Sequence, residues 1–495
     1  MSRAHLVVVA ALVLLLSSGS TAAPAASRYR FADVTRAVGI EKDRTRTWGS
    51  VWGDYDNDGD TDLFVNRHQS RPRLYVNQDG NYSLFDGDDI FFPNRVDRHG
   101  CAWGESNGDG RLDLYCTQGA NRGEGTGPNQ LFEQTDDGFV DRARAAGVRD
   151  RFARGRTINW IDFDSDRDLD MFVGNERRAG APNVMFRNTA AGFRRASVGV
   201  EDKLHTVSSS SSDWDTDGDP DLLVFQHPEH GYPAVAYKND EGSFRRISLP
   251  RVTGRFWRSG AWGDFNADGH PDLHLMNKER ALLLRNTGHG FKREHSMRVR
   301  QGRMSEWLDV ENDGDLDLLV LQGAKGSSDD GNVNHRDFLL IRKRGRLVKV
   351  TGRSFAGPRG GNGDGVAAGD HDRDGRMDLF VTNGYGRSPW KGRSILLENR
   401  SRAGRWLGVD LEGPRKNPAG FGAKIRVRTA VRTYRREVTD GFNYLVQSDR
   451  SYAHFGIGRA RKANVKVRWP GGATDCRSVE HGRIRRITKG DHPCP

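Results

Sequence analysis

Ten residues from Asp54 to Leu63, DYDNDGDTDL, place five aspartates around one glycine. Carboxylates about 5 Å apart repel by roughly 3 kcal/mol per pair at an effective dielectric near 20. The stretch therefore needs a counter-charge. It recurs as ESNGDGRLDL at 105, DFDSDRDLDM at 162, DWDTDGDPDL at 213, DFNADGHPDL at 264, DVENDGDLDL at 309 and DHDRDGRMDL at 370, seven copies set 45 to 61 residues apart. Oxygen donors alternating along a short loop, with glycine where the chain reverses, suit a hard cation of flexible coordination. Calcium takes six to eight oxygens in such loops, whereas magnesium demands a stricter octahedron.

Positions one, three, five and nine are expected to ligate through side chains, and position seven through its backbone carbonyl, which tolerates any side chain. The candidate ligands are Asp54, Asp56, Asp58, Asp60 and Asp62 in the first loop, then Glu105, Asn107, Asp109, Arg111 and Asp113. Asp162, Asp164, Asp166, Asp168 and Asp170 follow, then Asp213, Asp215, Asp217, Asp219 and Asp221. The last three loops offer Asp264, Asn266, Asp268, His270 and Asp272; Asp309, Glu311, Asp313, Asp315 and Asp317; and Asp370, Asp372, Asp374, Arg376 and Asp378. The 54, 213 and 370 loops rank highest by charge. At 162, Arg167 replaces the glycine at a cost of roughly 1 kcal/mol if the backbone there is left-handed, and its guanidinium is the candidate stand-in for the ion. The expected role of calcium is structural.

An EF-hand is excluded by the flanking sequence. Each loop is entered by strand-like VWG, CAWG, INWI, SGAWG or SEWL and left by LFV, LYC, MFV, LLV or LHL, with no glutamate at position twelve. Each loop thus joins two strands of a hairpin. A further strand ending in asparagine follows, as in LYVNQDG, VMFRNTAAG, VAYKNDEG, LLLRNTGHG and ILLENRS, and then a Phe-centred strand. Four strands in roughly 50 residues is one propeller blade. The expected fold class is all-β, a seven-bladed β-propeller over 28–401 followed by a small β-sandwich-like domain at 403–489, with a tail at 490–495. The last blade lacks its Phe-centred strand, and FADVTRAVGI at 31–40 supplies one, so the N-terminal strand is predicted to close the ring.

The loops and FADVTRAVGI resemble the FG-GAP or VCBS repeats of integrin α-type propellers. GRWLGVDLEG, NPAGFGAKIRV at 417–427, REVTDGFNYLVQSD, HFGIG at 454–458 and VKVRWPGG at 465–472 resemble the ASPIC and UnbV domain. Together they resemble the cartilage acidic protein family over nearly the whole chain. That resemblance implies a secreted, calcium-binding protein of the extracellular matrix. With 77 Lys and Arg against 66 Asp and Glu and a net charge of +11, the chain departs from the family's acidic character.

The basic balance suits an anionic partner. RKRGR at 342–346, RTYRRE at 432–437 and GRIRR at 482–486 are the candidate patches, set against the plainer reading of arginines on solvated strand faces. Leu6–Leu16 behind Arg3 and His5, followed by small residues near Ala22–Ala25, reads as a signal peptide over 1–25. No segment has the roughly 20 apolar residues of a membrane span. The four cysteines fit an oxidising compartment. Cys101 and Cys116 flank one loop symmetrically and are expected to pair, leaving Cys476 with Cys494. HPEHG at 227–231, GGNGDG at 360–365 and GEGTG at 123–127 read as connectors rather than metal or phosphate sites. The Asn81 and Asn399 sequons are candidates for glycosylation. No nucleophile elbow, zinc motif or phosphate loop is present.

The leading expectation is a secreted, non-enzymatic calcium-binding protein acting in extracellular interaction, adhesion or matrix assembly. Its expected partners are an extracellular protein or an anionic glycan, with no nucleic acid. The alternatives are a lyase or cyclase with a pocket on the propeller face, or a carbohydrate-binding, lectin-like module.

Overall fold

The computed structural model describes residues 28–41, 47–67, 70–86, 96–119, 126–176, 180–227, 231–323, 337–350, 365–382, 393–443, 446–449 and 451–494. The signal segment at 1–25 lies outside them, as do the centre of HPEHG, most of GGNGDG and the start of GEGTG. Every regular element among the described residues is a β-strand.

The first repeat shows how the sequence builds a unit. Thr47–Gly53 leads into the acidic loop and pairs antiparallel with Asp62–Arg67, which pairs with Arg73–Gln78, and that with Asn81–Leu84. The second strand, DLFVNR, is buried along its whole length. A continuous apolar run rather than an alternating one is what burial on both faces requires. Seven such runs of four antiparallel strands occur among the described residues, the first of them extended to a six-stranded sheet by Phe442–Asn443 and Val446–Gln447. Their lead strands are Thr47–Gly53, Arg98–Gly104, Gly155–Ile161, Thr206–Ser212, Ser259–Gly263, Gly302–Leu308 and Gly365–Gly369. Each neighbours the next, and the last neighbours the first. Phe31–Asp33 completes the seventh sheet by pairing with Ile395–Asn399, as its sequence offset predicted.

The cores lie between neighbouring sheets. Val51, Phe64 and Leu74 of the first pack with Trp103, Leu114 and Phe132 of the second. The recurring Trp-Gly pair explains how the lead strands approach. A Cβ on Gly53, Gly104, Gly263 or Gly369 would lie 2.6, 2.3, 2.9 or 3.1 Å from the indole of Trp103, Trp160, Trp307 or Trp52, in each case in the following sheet. The contact between Gly369 and Trp52 joins the seventh sheet to the first.

Both disulfides have the expected pairing. Cys101 and Cys116 sit directly opposite each other on the two strands flanking the 105 loop.

The C-terminal unit is two sheets over one core. Arg405–Glu412 runs between Ala453–Gly458, antiparallel, and Ile484–Thr488, parallel. Thr433–Glu437, Lys424–Arg428, Lys462–Arg468 and Thr474–Glu480 form the second sheet. Leu407, Val409, Ile425, Val427, Val465, Val467 and Trp469 are buried in the same cluster, so the sheets face one another.

One segment of this unit enters the ring. Gln447 pairs in parallel with Val51 of the first lead strand, and its amide bonds the backbone N–H and carbonyl of Trp103 in the second at 2.7 and 3.1 Å. Asp440 accepts from Trp160 N at 3.0 Å, Glu437 from Ser212 Oγ at 2.6 Å, and Asn443 donates to Ser305 O at 3.0 Å. Asp449 N donates to Ala368 O at 2.8 Å. A stretch that touches the first, second, third, fourth, sixth and seventh lead strands occupies the place where they converge. The described residues of REVTDGFNYLVQSD, 436–443 and 446–449, therefore form an axial plug on the acidic-loop face.

Gly104→Ala is expected to destabilise the chain by about 1–3 kcal/mol, because its methyl group overpacks against Trp160. A urea denaturation curve measures the loss.

Candidate functional site

All seven acidic loops share one hydrogen-bond frame. The first-position carboxylate accepts the N–H of position six, from Gly59 to Asp54 at 3.0 Å, Gly110 to Glu105 at 3.3 Å, Arg167 to Asp162 at 3.2 Å and Gly218 to Asp213 at 3.0 Å. Gly269, Gly314 and Gly375 do the same to Asp264, Asp309 and Asp370 at 2.9, 2.7 and 2.9 Å. The fifth-position carboxylate accepts the N–H of position seven, as Asp58 does from Asp60 at 2.8 Å and Asp374 from Arg376 at 2.8 Å. Position six is left-handed in every loop, from Arg167 at φ 80° to Gly218 at φ 116°. Position four is left-handed too, through Asn57, Gly108, Ser165, Thr216, Ala267, Asn312 and Arg373. Only one of those is glycine, so the sequence hides this second reversal.

The ninth-position aspartates are the most buried, at no more than 1% exposure for Asp62, Asp113, Asp170, Asp221, Asp272, Asp317 and Asp378. Each accepts the backbone N–H of one residue at the end of the third strand: Asn77, Gln134, Asn188, Asn239, Asn286, Arg342 and Asn399, at 2.6 to 3.0 Å. Six also take the N–H of the loop's second residue, as Asp62 does from Tyr55 at 2.9 Å. The five asparagines then use their side chains to reach the preceding sheet. Asn77 donates to His371 O at 2.8 Å, Asn188 to Ser106 O at 3.1 Å, Asn239 to Phe163 O at 2.8 Å, Asn286 to Trp214 O at 2.6 Å and Asn399 to Val310 O at 3.0 Å. Arg342 makes the same bridge to Phe265 O. Its place in RKRGR is therefore structural, and Asn399, fully buried, is not a glycosylation site. The repeated asparagine was visible in the sequence, but its partner in another sheet was not.

Within this frame, three carboxylate oxygens converge within 4.8 Å of one another in four loops: Asp54, Asp56 and Asp58; Asp162, Asp164 and Asp170; Asp213, Asp215 and Asp221; and Asp370, Asp372 and Asp374. In these same four loops one oxygen of the first carboxylate, on Asp54, Asp162, Asp213 or Asp370, is buried without a hydrogen-bond partner. Burial first, then repulsion from neighbouring carboxylates, pushes Asp54, Asp162 and Asp370 up to about 7. Orphaned, charge-disfavoured oxygens facing more oxygens fit a hard divalent cation.

The four clusters differ in fixed cations. The 213 loop holds Lys424 against Asp213, and Lys238 against Asp215 and, at 3.0 Å, Asp217. The 162 loop has Arg187 at 2.8 Å from Asp164, while the Arg167 side chain lies beside Gly471. The guanidinium that reaches the 162 carboxylates is thus Arg187. In the 370 loop Arg376 pairs with Asp374. The 54 cluster has no ion pair among the described residues. In the other three loops Glu105 accepts three backbone N–H groups, Asn266 donates to Asp268 at 2.9 Å, and one oxygen of Glu311 accepts from Tyr29 Oη at 3.1 Å while its other is buried without a partner. Seventh-position side chains bond elsewhere, Asp60 to Asp79 N at 2.6 Å, Arg111 to Asp136 at 2.7 Å and Asp168 to Lys416 at 2.7 Å. Asp315 is held by Arg342 at 2.8 Å and Arg432 at 2.5 Å.

The FG-GAP-like repeat family matches residues 54–116, 213–275 and 309–381, and the ASPIC and UnbV family matches 413–492. The chain is an FG-GAP-repeat protein with an ASPIC and UnbV domain. Its FG-GAP matches leave out the 162 loop, the one with arginine in place of the sixth-position glycine. The chain is 25% identical to cartilage acidic protein 1 of Xenopus tropicalis over 513 residues, covering 90% of this chain and 74% of that protein, and 25% identical to the Homo sapiens protein, covering 90% and 72%. Among solved structures it is similar to BBS1N in complex with ARL6DN, at TM-score 0.47 and 10% identity, covering 76% of this chain and 99% of that one. An Agrocybe aegerita lectin that recognises non-reducing terminal N-acetylglucosamine is similar at TM-score 0.40 and 14% identity, covering 63% and 81%. Likeness at these scores carries no argument.

The ASPIC and UnbV domain touches the FG-GAP loops directly. Tyr452 Oη donates to Asp370 at 2.5 Å, Thr61 Oγ1 donates to Asp449 at 3.0 Å, and Lys416 and Lys424 meet Asp168 and Asp213.

Asn239→Ala is expected to cost about 1–3 kcal/mol, since it strips a donor from the buried carbonyls of Phe163 and Pro220; thermal unfolding reports it. For the calcium-free protein the pH dependence has a definite sign. Burial raises Asp62, Asp170 and Asp221 to about 9 and Asp272 to about 8. Folded-state values above the unfolded one give stability that is full below about pH 4 and lost as pH rises through 8 to 9. Melting in EDTA should therefore fall from pH 6 to pH 9, and a flat profile would contradict the burial argument.

Proposed function

We propose that this is a secreted calcium-binding protein, a seven-bladed β-propeller over 28–401 closed by the ASPIC and UnbV domain over 403–489, which acts in extracellular interaction, adhesion or matrix assembly. The observation that carries the calcium reading is the orphaned first-position oxygen in the four loops where carboxylates converge. The first, third, fifth and ninth side chains, with the seventh carbonyl, are the proposed donor set. The 54 loop is the strongest site because, among the described residues, no fixed cation pairs with Asp54, Asp56 or Asp58; Arg373, at 3.7 Å, reaches only Asp60. Calcium's role is structural: an ion at each loop neutralises carboxylates that the fold has already desolvated.

The leader-like segment at 1–25 and the two disulfides support export, as does the likeness to cartilage acidic protein 1. No helix among the described residues is long and apolar enough to cross a membrane. The axial plug fills the acidic-loop face, which argues against a catalytic pocket at that mouth of the ring. Partner contacts fall instead to the opposite face, built from the connections between second and third strands, and to the ASPIC and UnbV domain.

Calcium titration by calorimetry, paired with thermal melts in EDTA and in millimolar calcium, tests the reading. A site filled to about ten times its dissociation constant adds roughly 1.4 kcal/mol, so several sites together should raise the melting temperature by many degrees. Asp54→Asn should remove one binding event from the titration. Identical melts with and without calcium would reject the assignment.

A further inference from the structure

A cavity of about 580 Å³ lies between the ASPIC and UnbV domain and the fourth to sixth sheets of the ring. That volume is within the range of small-molecule sites, and a seam between domains is a usual place for one. Its two walls differ in chemistry.

The domain wall is the outward face of the four-stranded sheet, and it is cationic. Arg435, Arg426 and Lys466 are direct cross-strand neighbours in one row, and Lys424 sits opposite Arg468 in the next. Like charges set directly opposite destabilise a sheet. Two of the five have partners: Lys424 pairs with Asp213, and Arg435 donates to Ala267 O at 2.6 Å. Arg426, Lys466 and Arg468 have no hydrogen bond or ion pair among the described residues, yet all three line the cavity. Three uncompensated cations converging on one volume call for an anionic ligand.

The ring wall supplies the rest of the ligand's outline. Trp262 and Trp307 line it, stacked respectively on Trp214 at 5.5 Å and Phe265 at 6.2 Å, so the indoles are held rigid. The indole N–H of Trp262 is buried without a partner. Four carboxylates also line the cavity, Asp264, Asp268, Glu306 and Glu437, of which Glu306 already accepts from Ser448 and Glu437 from Ser212 and Asp213 N. These carboxylates would repel a bare inorganic anion but accept hydrogen bonds from hydroxyl groups. Rigid aromatic faces suit the C–H faces of a pyranose ring, carboxylates suit its hydroxyls, and the arginine and lysine row suits appended sulfate or carboxylate.

We propose that this cleft binds a short acidic saccharide, with its charged substituents on Arg426, Lys466 and Arg468 and its ring against Trp262 and Trp307. Asp264, Asp268 and His270 of the 264 loop also line the cleft, so its charge is defined in the calcium-saturated chain; the calcium reading itself rests on the 54, 162, 213 and 370 loops.

A trisulfated heparin disaccharide, its unsulfated counterpart and inorganic sulfate serve as probes, titrated into the calcium-saturated full chain at physiological salt and read by tryptophan fluorescence and calorimetry. The sulfated disaccharide should bind saturably and at least tenfold more tightly than either control. Arg426→Glu with Lys466→Glu should weaken it by at least tenfold with the melting temperature retained, whereas Arg344→Glu with Arg346→Glu, on a distant exposed hairpin, should leave it unchanged. Absent binding, equal affinity for inorganic sulfate, or an unaffected Arg426 and Lys466 double variant would each overturn the proposal. The calcium melts are a separate readout, so loss of either conclusion leaves the other standing.

Discussion

A carboxylate with no access to water holds each repeat together. The aspartate at the ninth loop position is desolvated, a costly state for a charge. It is offset by backbone N–H groups from two different parts of its own sheet, the loop's second residue and the end of the third strand. That one side chain sets the length of the acidic loop and the register of the first three strands. The asparagine beside it then reaches a carbonyl in the preceding sheet. Each sheet is thereby tied to its neighbour by polar bonds on the loop side as well as by apolar packing between the sheets.

The first-position carboxylates are the counterpart of this arrangement. Forced inward by the same loop, those of the 54, 162, 213 and 370 loops keep one oxygen satisfied by the sixth-position N–H and leave the other exposed to like charge. Where lysine or arginine has moved in, as at the 213 and 162 loops, a side chain already supplies part of the compensation. Where none pairs with the converging carboxylates among the described residues, as at Asp54, Asp56 and Asp58, the geometry is left to a diffusible cation. The seven copies of one motif are therefore not seven equal sites. Their differences come from residues outside the motif, such as Arg187 on the third strand of the same sheet and Lys424, 211 positions from Asp213.

The ASPIC and UnbV domain is more than an appendage. Its axial segment puts Asp440, Asn443, Gln447 and Asp449 against the backbone of lead strands that have no further sheet to pair with on the inside. Buried polar side chains there answer the N–H and carbonyl groups that would otherwise be left bare. Off the axis lies a cleft where the cationic outer face of the domain meets the aromatic wall of the ring.

Much of this was legible in the sequence because it is local and repeated. The Asp-x-Asp-x-Asp-Gly spacing, the apolar runs after each loop, the Trp-Gly pairs, the displaced FADV strand and the symmetric Cys101 and Cys116 all act within one repeat or at a fixed offset, so periodicity exposes them. The hairpin placement of the loops, the closing strand and both disulfides follow from that alone. Only the tertiary structure decided the rest: that Asn399 is a buried bridge to the preceding sheet, that Arg342 stands in for an asparagine, that Arg187 and not Arg167 meets the 162 carboxylates, and that the described residues of REVTDGFNYLVQSD enter the ring. Those contacts join residues up to several hundred positions apart, and no local spacing encodes them, because a hydrogen-bond partner is chosen by the packing of whole sheets rather than by the sequence beside it.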